Sequence, residues 1–596
     1  IVDVSTNANG AIFVGGQFTG TVDFDPSPTN TVTRIGVNND IFLGRYTSQG
    51  ALLNSSSIIA SGDAQTQTLK DIAVRGQSVY IIGDNEGVAT FSTGLASTNV
   101  VGTNGNLDIL IAKFDEGLSN IWAYSIGGAE NDTPGGLTVD NSGNMYITGL
   151  FRGSVNFDPS GNGTTKTLTA GTDGDIFIAK YNTNGELIWA NQIGGSFFDV
   201  GVDLELDGNG NLYVTGRFNG TVDFDPGAGV SSISANANDE STFIAKYTTD
   251  GNYVWAKSII GVENVADMSL SNSGKIAIVG YYQLDNADVD PGVGEALLPY
   301  DNNLPDGYLS VYDNDGNFLW AKSIGGPESS LELMESVYFL EDESIIISGG
   351  GGGSIQFNQG EANPVTRTAN SSDGLIAKYD VNGAVVFAYM LGGSGSDYNT
   401  ALTLDGGNLF AFGRIRSPSI DFDPSDGMAI VTSANEDDAY LVKYDVTGPQ
   451  LVKNNTAESA TFGNDLTVNI EVEDEESGVQ SVALDYRGIS SLNAAPFKRI
   501  TLTNKSGNQY EGTIPSDDFD ELGIEFRGFA VNDLGVVSTS AIISRPLSVP
   551  DGLTIPQYGS GNGSQEDYRI IAVPLQLNSA TVKSIFEDDL GPYDPN

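Results

Sequence analysis

The sequence predicts an all-β chain: a seven-bladed β-propeller over residues 1–448, a β-sandwich over 449–548, and a linker with the start of a further, truncated α+β segment over 549–596. Three observations carry this expectation. One short phrase recurs seven times, a second phrase ending in glycine keeps the same period, and all four tryptophans hold one position in successive repeats.

The first phrase reads DIFLGRYTSQG from Asp40, DILIAKFDEG from Asp108, DIFIAKYNTNG from Asp175 and TFIAKYTTDG from Thr242, then GYLSVYDNDG from Gly307, GLIAKYDVNG from Gly374 and AYLVKYDVTG from Ala439. Its aromatic falls at Tyr46, Phe114, Tyr181, Tyr247, Tyr312, Tyr379 and Tyr444, a spacing of 65 to 68 residues. The glycine closing the second phrase recurs at Gly16, Gly83, Gly149, Gly216, Gly280, Gly349 and Gly413. Trp122, Trp189, Trp255 and Trp320 mark a third anchor, which Phe387 fills in the sixth repeat and Asn54 in the first.

Each unit reads as four short strands, shown in the third repeat by LTVD, NMYITG, DIFIAKY and ELIWANQIG. Val, Ile, Tyr and Phe favour extended backbone, and NSGN and NTNG are tight-turn sequences whose Gly and Asn accept positive φ. Four strands with glycine-rich turns make a propeller blade. The third strand is apolar on both faces, with Ile176 and Ile178 on one and Phe177 and Ala179 on the other, as a sheet held between two neighbours requires. The tryptophans and Phe387 then read as packing wedges between blades, in preference to a ligand-stacking platform.

On D-x-F-I-A-K-Y, G-x-x-x-W, I-G-G and G-N-x-Y-x-T-G, the repeat resembles the bacterial SBBP-type β-propeller repeat over residues 1 to about 448. The resemblance implies the fold and an extracellular setting, and no single activity. The first repeat starts on its innermost strand and the seventh stops after its third, so an outer strand for blade seven is expected from residues upstream of Ile1; otherwise that blade keeps three strands and an exposed edge.

From Pro449 the period changes. Leu466, Val468, Ile470 and Val472 alternate, as do Val482, Leu484 and Tyr486, then Phe497, Ile500 and Leu502, then Ile524, Phe526 and Gly528, the pattern of a two-sheet sandwich. DEESGV from Asp474 and AVNDLG from Ala530 resemble bacterial immunoglobulin-like or fibronectin-III-like modules, which implies a spacer that orients its neighbours. Beyond it, GSGNGSQED reads as a linker, YRIIAVPLQL as a strand, and SATVKSIFEDDL as an amphipathic helix capped by Ser579. The domain order resembles large surface or secreted proteins of the type IX route of Gram-negative bacteria, which implies the outer cell surface or the exterior.

Composition bounds the chemistry. Acidic side chains number 77 against 27 basic, a net charge of −50 spread through the repeats. Such a surface repels phosphate backbones and anionic lipid heads, so neither nucleic acid nor membrane insertion is expected; it suits solubility in a salty exterior or charge-steered binding. Ile1 opens the chain without a methionine, a basic n-region or an apolar h-region, so localisation rests on composition and resemblance. Histidine and cysteine are absent, which excludes Ser-His-Asp and Cys-His triads and nearly every zinc, copper or haem site.

The most site-like phrase is acidic: VDFDP at Val22 and Val222, DVDP at Asp288 and DFDP at Asp421. Residues two apart in a strand point the same way, so Asp23 with Asp25, Asp223 with Asp225, Asp288 with Asp290 and Asp421 with Asp423 can offer paired oxygens to calcium. The competing reading is a strand stop and turn cap, since Ala89-Thr90-Phe91-Ser92 and Ile355-Gln356-Phe357-Asn358 replace the pair in two repeats. No cofactor is required on either reading. Aromatics beside acids, Phe197-Phe198-Asp199 and Asp397-Tyr398, lie on the long loops and could stack on a sugar or anchor a protein, or simply pack. The lysines of the AKY phrase are expected to pair with nearby aspartates.

These readings converge on a non-enzymatic binding or scaffold protein that presents propeller loops to a protein or glycan outside the cell. The alternatives are a carbohydrate-active enzyme, lyase or glycosidase, working with carboxylate, Tyr and Arg, and a structural part of a surface assembly. Against a glycosidase, its two carboxyls stand about 5–9.5 Å apart in one cleft, whereas these pairs recur round a ring.

Overall fold

The computed structural model describes residues 2–554 apart from 28, 61–65, 92–98, 103–106, 162–165, 236–239, 286, 301–303, 327–330, 406–407, 423–428, 434–437, 446–449, 455, 457–459, 462–463, 474–478, 489–496, 519–522, 533–536, 540–542 and 550–552. The expected C-terminal strand and helix, with most of segment 549–596, lie outside the described residues. Those described are all-β, with one 3-10 turn at Ser516–Asp518 and no α-helix. The chain divides into two compact units, 1–447 with 533–536 and 448–532 with 537–596.

Among the described residues the first unit is a succession of seven antiparallel sheets of three to six strands in chain order, with three separate two-stranded hairpins. Sheet three runs Thr133–Val139, Met145–Phe151, Asp175–Tyr181 and Leu187–Ile193 from first to fourth strand. Its third strand is buried on both faces: Ile176, Phe177, Ala179 and Tyr181 are 0% exposed. The cause is a neighbour on each side. Phe177, Ala179 and Tyr181 join Ile109, Ile111 and Trp122 of sheet two, while Ile176 and Ile178 join Leu204, Val214 and Phe243 of sheet four. Burying a large apolar side chain contributes about 1.5–3 kcal/mol, so these interfaces are a main source of stability.

The succession closes on itself. Val4, Ile12 and Val14 of sheet one share a core with Ala401, Phe410 and Phe412 of sheet seven, and Thr6 Oγ1 donates to the Leu404 carbonyl at 3.0 Å. This is a β-propeller-type repeat with every first strand at the centre.

A hairpin extends beyond the second and third strands and packs on the outer strand of the preceding sheet. In the second repeat it pairs outright: Val88–Phe91 adds to Leu52–Ala60 of sheet one, with Ile58 opposite Phe91. Elsewhere single bridges do the same, Gly194 with Asp223 and Gly325 with Gln356. The Gly-Gly of I-G-G fits that contact. A Cβ on Gly194 would stand 2.4 Å from the Asp175 carboxyl, and one on Gly195 would stand 2.3 Å from the Thr221 carbonyl oxygen. Among the described residues sheet seven has three strands, Tyr398–Asp405, Asn408–Ile415 and Asp438–Asp445.

In the second unit two ladders of strands are linked into one hydrogen-bonded path. Lys498–Ser506 joins its halves: Lys498–Leu502 pairs with Val479–Gly488, while Thr503–Ser506 pairs with Gln509–Ile514 after a register shift. A strand that changes partner midway bends the sheet around one core, here Val468, Ile470, Leu484, Ile514 and Phe526, each at most 1% exposed.

Candidate binding site

The acidic phrases sit in the hairpins, where their oxygens face the hairpin backbone. Asp23 Oδ1 accepts the amides of Asp25 and Val32 at 3.1 and 2.8 Å, and Asp25 Oδ1 accepts that of Ser27 at 2.9 Å. Asp223 Oδ1 takes the amides of Asp225 (3.1 Å) and Ser231 (2.8 Å), and Asp225 Oδ1 that of Gly227 at 2.8 Å. Asp288 Oδ1 takes those of Asp290 (3.0 Å) and Ala296 (2.8 Å), and Asp290 Oδ1 that of Gly292 at 2.7 Å. Asp421 Oδ1 accepts the Ala429 amide at 2.8 Å; Asp423 lies outside the described residues. Each acid thus caps its own loop, and no group of three or more potential metal ligands is assembled among the described residues.

The repeat's tyrosine fastens the same hairpin. The hydroxyls of Tyr46, Tyr181, Tyr247, Tyr312, Tyr379 and Tyr444 donate to the carbonyls of Phe24, Phe157, Phe224, Val289, Phe357 and Phe422 at 2.7–3.0 Å. The sequence carries the signal for this role: Phe114, which has no hydroxyl, stands in the repeat whose hairpin lies furthest from the acidic pattern.

The tryptophans meet the next sheet's tight turn. Trp122 Nε1 donates to the Thr183 carbonyl at 3.1 Å and Trp189 Nε1 to that of Thr249 at 3.2 Å. A Cβ on Gly185, Gly251, Gly316 or Gly383 would stand 2.8–3.2 Å from the ring of Trp122, Trp189, Trp255 or Trp320 respectively. Phe387 stacks on Tyr389 with centroids 5.2 Å apart.

The AKY lysines meet rings as well as acids, with Lys180 beside Asp140 and Lys246 beside Asp207. Lys113, Lys180 and Lys246 lie 4.7–5.1 Å from the ring centroids of Tyr80, Tyr146 and Tyr213, and donate to turn carbonyls of the next sheet. Each tyrosine is the lysine's direct cross-strand partner, which brings the ring under the ammonium. Acid partners remain for Arg45 with Glu116 and Lys378 with Asp342.

Of the aromatic–acid loops, only the aromatics reach the surface. Phe197 is 45% exposed and Phe198 lies 5.9 Å beneath the Arg152 guanidinium. Asp199 and Asp397 are fully buried, which corrects their reading as ligand contacts. Asp199 accepts the amides of Gly195 and Asn219 at 2.8 and 3.1 Å, and Asp397 those of Gly393, Arg416 and Ser417 at 2.7–3.0 Å. Burial pushes the Asp199 carboxyl up to about 7. Tyr398 is held under Arg414, and its hydroxyl accepts from Ser372 Oγ.

Sequence reading missed one further feature. A polar cavity of about 610 Å³ runs between the first strands, lined by Asp3, Asp71, Asp203, Glu205, Asp267 and Glu335 among others. Asp3, Asp71, Asp203 and Asp267 hold one repeat position, and each carboxylate accepts an amide of the following sheet: Ile72, Leu137, Met268 and Val337 at 2.6–3.0 Å. The acids join the sheets and line the cavity at once. Enclosure by protein, then mutual repulsion, raises Asp3 and Asp203 well above the carboxylate range and Glu205 to about 8. The charge of Asp71 adds to the rise at Asp3, and that of Asp267 to the rise at Asp203. The sequence signal was an aspartate recurring at the repeat period.

The chain matches no protein-family model. It is 24% identical over 482 residues to the uncharacterized WD repeat-containing protein L264 of Acanthamoeba polyphaga mimivirus, covering 71% of this chain and 34% of that protein. It is 24% identical over 240 residues to the regulatory protein FlaEY of Caulobacter vibrioides, covering 38% and 24%. The chain therefore spans about a third or less of these relatives' length. Among solved structures, a mutant Synechocystis apocarotenoid oxygenase aligns over 74% of this chain and 92% of its own at 10% identity and a TM-score of 0.34, too low to carry an argument. The same holds for the extracellular domain of the putative hybrid two component system BT4673 from B. thetaiotaomicron, with a TM-score of 0.16 at 12% identity over 92% and 87% of the two chains. Repeat architecture and the WD-repeat relative agree on a β-propeller-type repeat protein.

Proposed function

We propose that this chain is a non-enzymatic binding or scaffold protein of the bacterial exterior, a seven-bladed propeller whose loops meet a protein or glycan, carried beside an immunoglobulin-like spacer and requiring no cofactor. One observation carries the reading. The recurrent acids turn onto backbone amides, while single exposed aliphatics stand on the hairpins of separate repeats: Ile35, Val230, Val293 and Ile430 are 55–110% exposed. Apolar groups on loops held by a rigid frame are what a recognition surface offers. The SBBP and type IX resemblances and the charge of −50 support an exterior setting on a Gram-negative cell.

A glycan array read together with a turnover screen tests this. Saturable binding that weakens in the quadruple variant I35S/V230S/V293S/I430S, with no product released, is the expected result. Product release would overturn it in favour of the second reading, a carbohydrate-active enzyme in the channel. One observation favours that reading: Glu205 lines the polar cavity, where burial and neighbouring acids push its carboxyl up to about 8, a condition for a general acid, and Glu205→Gln would then abolish turnover.

A further inference from the structure

At one place in the second unit the acidic balance of this chain reverses. Val479–Gly488, Lys498–Ser506 and Gly523–Asn532 are neighbouring strands, with Val479–Gly488 in the middle. Val482, Leu484, Leu502 and Phe526 enter the core, so strand alternation puts Asp485, Arg487, Arg499, Glu525, Arg527 and Phe529 on the opposite face. There Asp485 stands between Arg499 and Arg527, and Arg487 is opposite Glu525.

Each guanidinium lies over a ring. Arg487 is 4.4 Å from the Phe497 centroid, Arg499 is 4.4 Å from that of Phe529, and Arg527 is 4.8 and 5.1 Å from the two. The carboxylates hold them from below. Asp485 accepts from Arg499 Nε and Nη2 at 2.6 and 3.0 Å and from Arg527 Nη2 at 3.5 Å, and Glu525 accepts from Arg487 Nε. Side-chain exposure separates the two layers: 57% for Arg499 and 36% for Arg527 against 9% for Asp485, and 25% for Arg487 against 18% for Glu525. Three guanidiniums over two carboxylates leave one positive charge in surplus, turned outward on groups that rings and acids already fix. The main chain of Val479–Gly488 is paired on both sides, so side chains alone do the recognising.

We propose that this face of the second unit is a binding site for an acidic sugar, with Arg487, Arg499 and Arg527 taking its carboxylate. The guanidiniums donate to the carboxylate, which neutralises the surplus charge. The sugar's hydroxyls both donate and accept, so they bridge guanidinium edges and the Glu525 carboxylate. An acidic peptide suits the face less well, because its carboxylates only accept and meet Asp485 and Glu525 with repulsion. The site is separate from the aliphatics on the propeller hairpins, and one variant distinguishes the two surfaces.

The test is fluorescently labelled trigalacturonate titrated into the 596-residue chain at low salt and followed by anisotropy. Saturable binding is expected, weakened at least about tenfold by Arg499→Gln. Lys505→Gln removes a positive charge from an ion pair outside the cluster and should leave the affinity unchanged. Glu525→Gln keeps an acceptor but removes an acid, and should tighten binding about threefold, a change that loss of folding does not produce. The variant I35S/V230S/V293S/I430S should bind trigalacturonate as the parent chain does. Absence of saturable binding, an unchanged affinity in Arg499→Gln, equal binding of the methyl-esterified sugar, or tighter binding of triglutamate would overturn the proposal.

Discussion

At the scale of single residues, the repeat is held by positions where one atom more does damage. Gly251 has φ of +80°, and a Cβ there would stand 2.7 Å from Asn191 Nδ2 and 3.2 Å from the Trp189 ring; Gly210 has φ of +83° but no heavy atom closer than 3.9 Å. Gly210→Ala should therefore cost only the left-handed backbone, about 1–2 kcal/mol. Gly251→Ala adds a displaced indole and should cost about 2–4 kcal/mol, with the difference read from parallel denaturant melts. The tyrosine of the repeat is a second such position. Tyr247→Phe leaves the Phe224 carbonyl without its donor in a buried setting and should cost about 1–2 kcal/mol by the same measurement.

At the scale of the element, the acidic hairpin is a loop organised by anionic caps, and this decides what it does with metal. Asp23, Asp223 and Asp288 each spend one oxygen on two amides across the loop. Adding a chelator should leave the melting midpoint unchanged; a fall of several degrees would assign a structural ion to the hairpins. Asp223→Ala, in contrast, frees the amides of Asp225 and Ser231 and should destabilise by about 1–2 kcal/mol. Period and turn chemistry made the acids and their turn-capping role legible beforehand, but not the hairpin they sit in. Its contact with the preceding sheet was not legible, because the two pieces lie in different repeats and touch only when the sheets are stacked.

At the scale of the molecule, the dominant electrostatic fact is acid enclosed by acid. Asp132 and Asp267 are pushed up to about 6, Asp199 to about 7 and Glu205 to about 8, with Asp3, Asp71 and Asp203 raised as well, each chiefly by burial. A carboxyl whose folded pKa exceeds its unfolded value binds a proton more tightly when folded, so its contribution is present below about pH 4 and is lost as pH rises through the folded value. Asp140, Asp207, Asp313 and Asp485 are lowered by hydrogen bonds and cations, and lose their contribution as pH falls below the unfolded value. The melting temperature should peak in mild acid and decline from about pH 5 to pH 8, and Glu205→Gln should flatten that decline. Added sodium chloride should raise the melting temperature at pH 8, since screening relieves repulsion across a net charge of −50.

The sequence alone marked the repeat period and the main strand-forming segments, because two-residue alternation, turn glycines and a fixed period are local properties written along the chain. It also placed Trp122, Trp189, Trp255 and Trp320 at one repeat position and marked the acidic hairpins. Only tertiary structure decided what the acids face. Asp199 and Asp397 turned from loop contacts into buried anchors, Lys113 and Lys180 came to lie over aromatic rings, and Asp3, Asp71, Asp203 and Asp267 became a shared wall. Those outcomes depend on distances between residues of different strands and sheets, which no periodicity along one strand encodes.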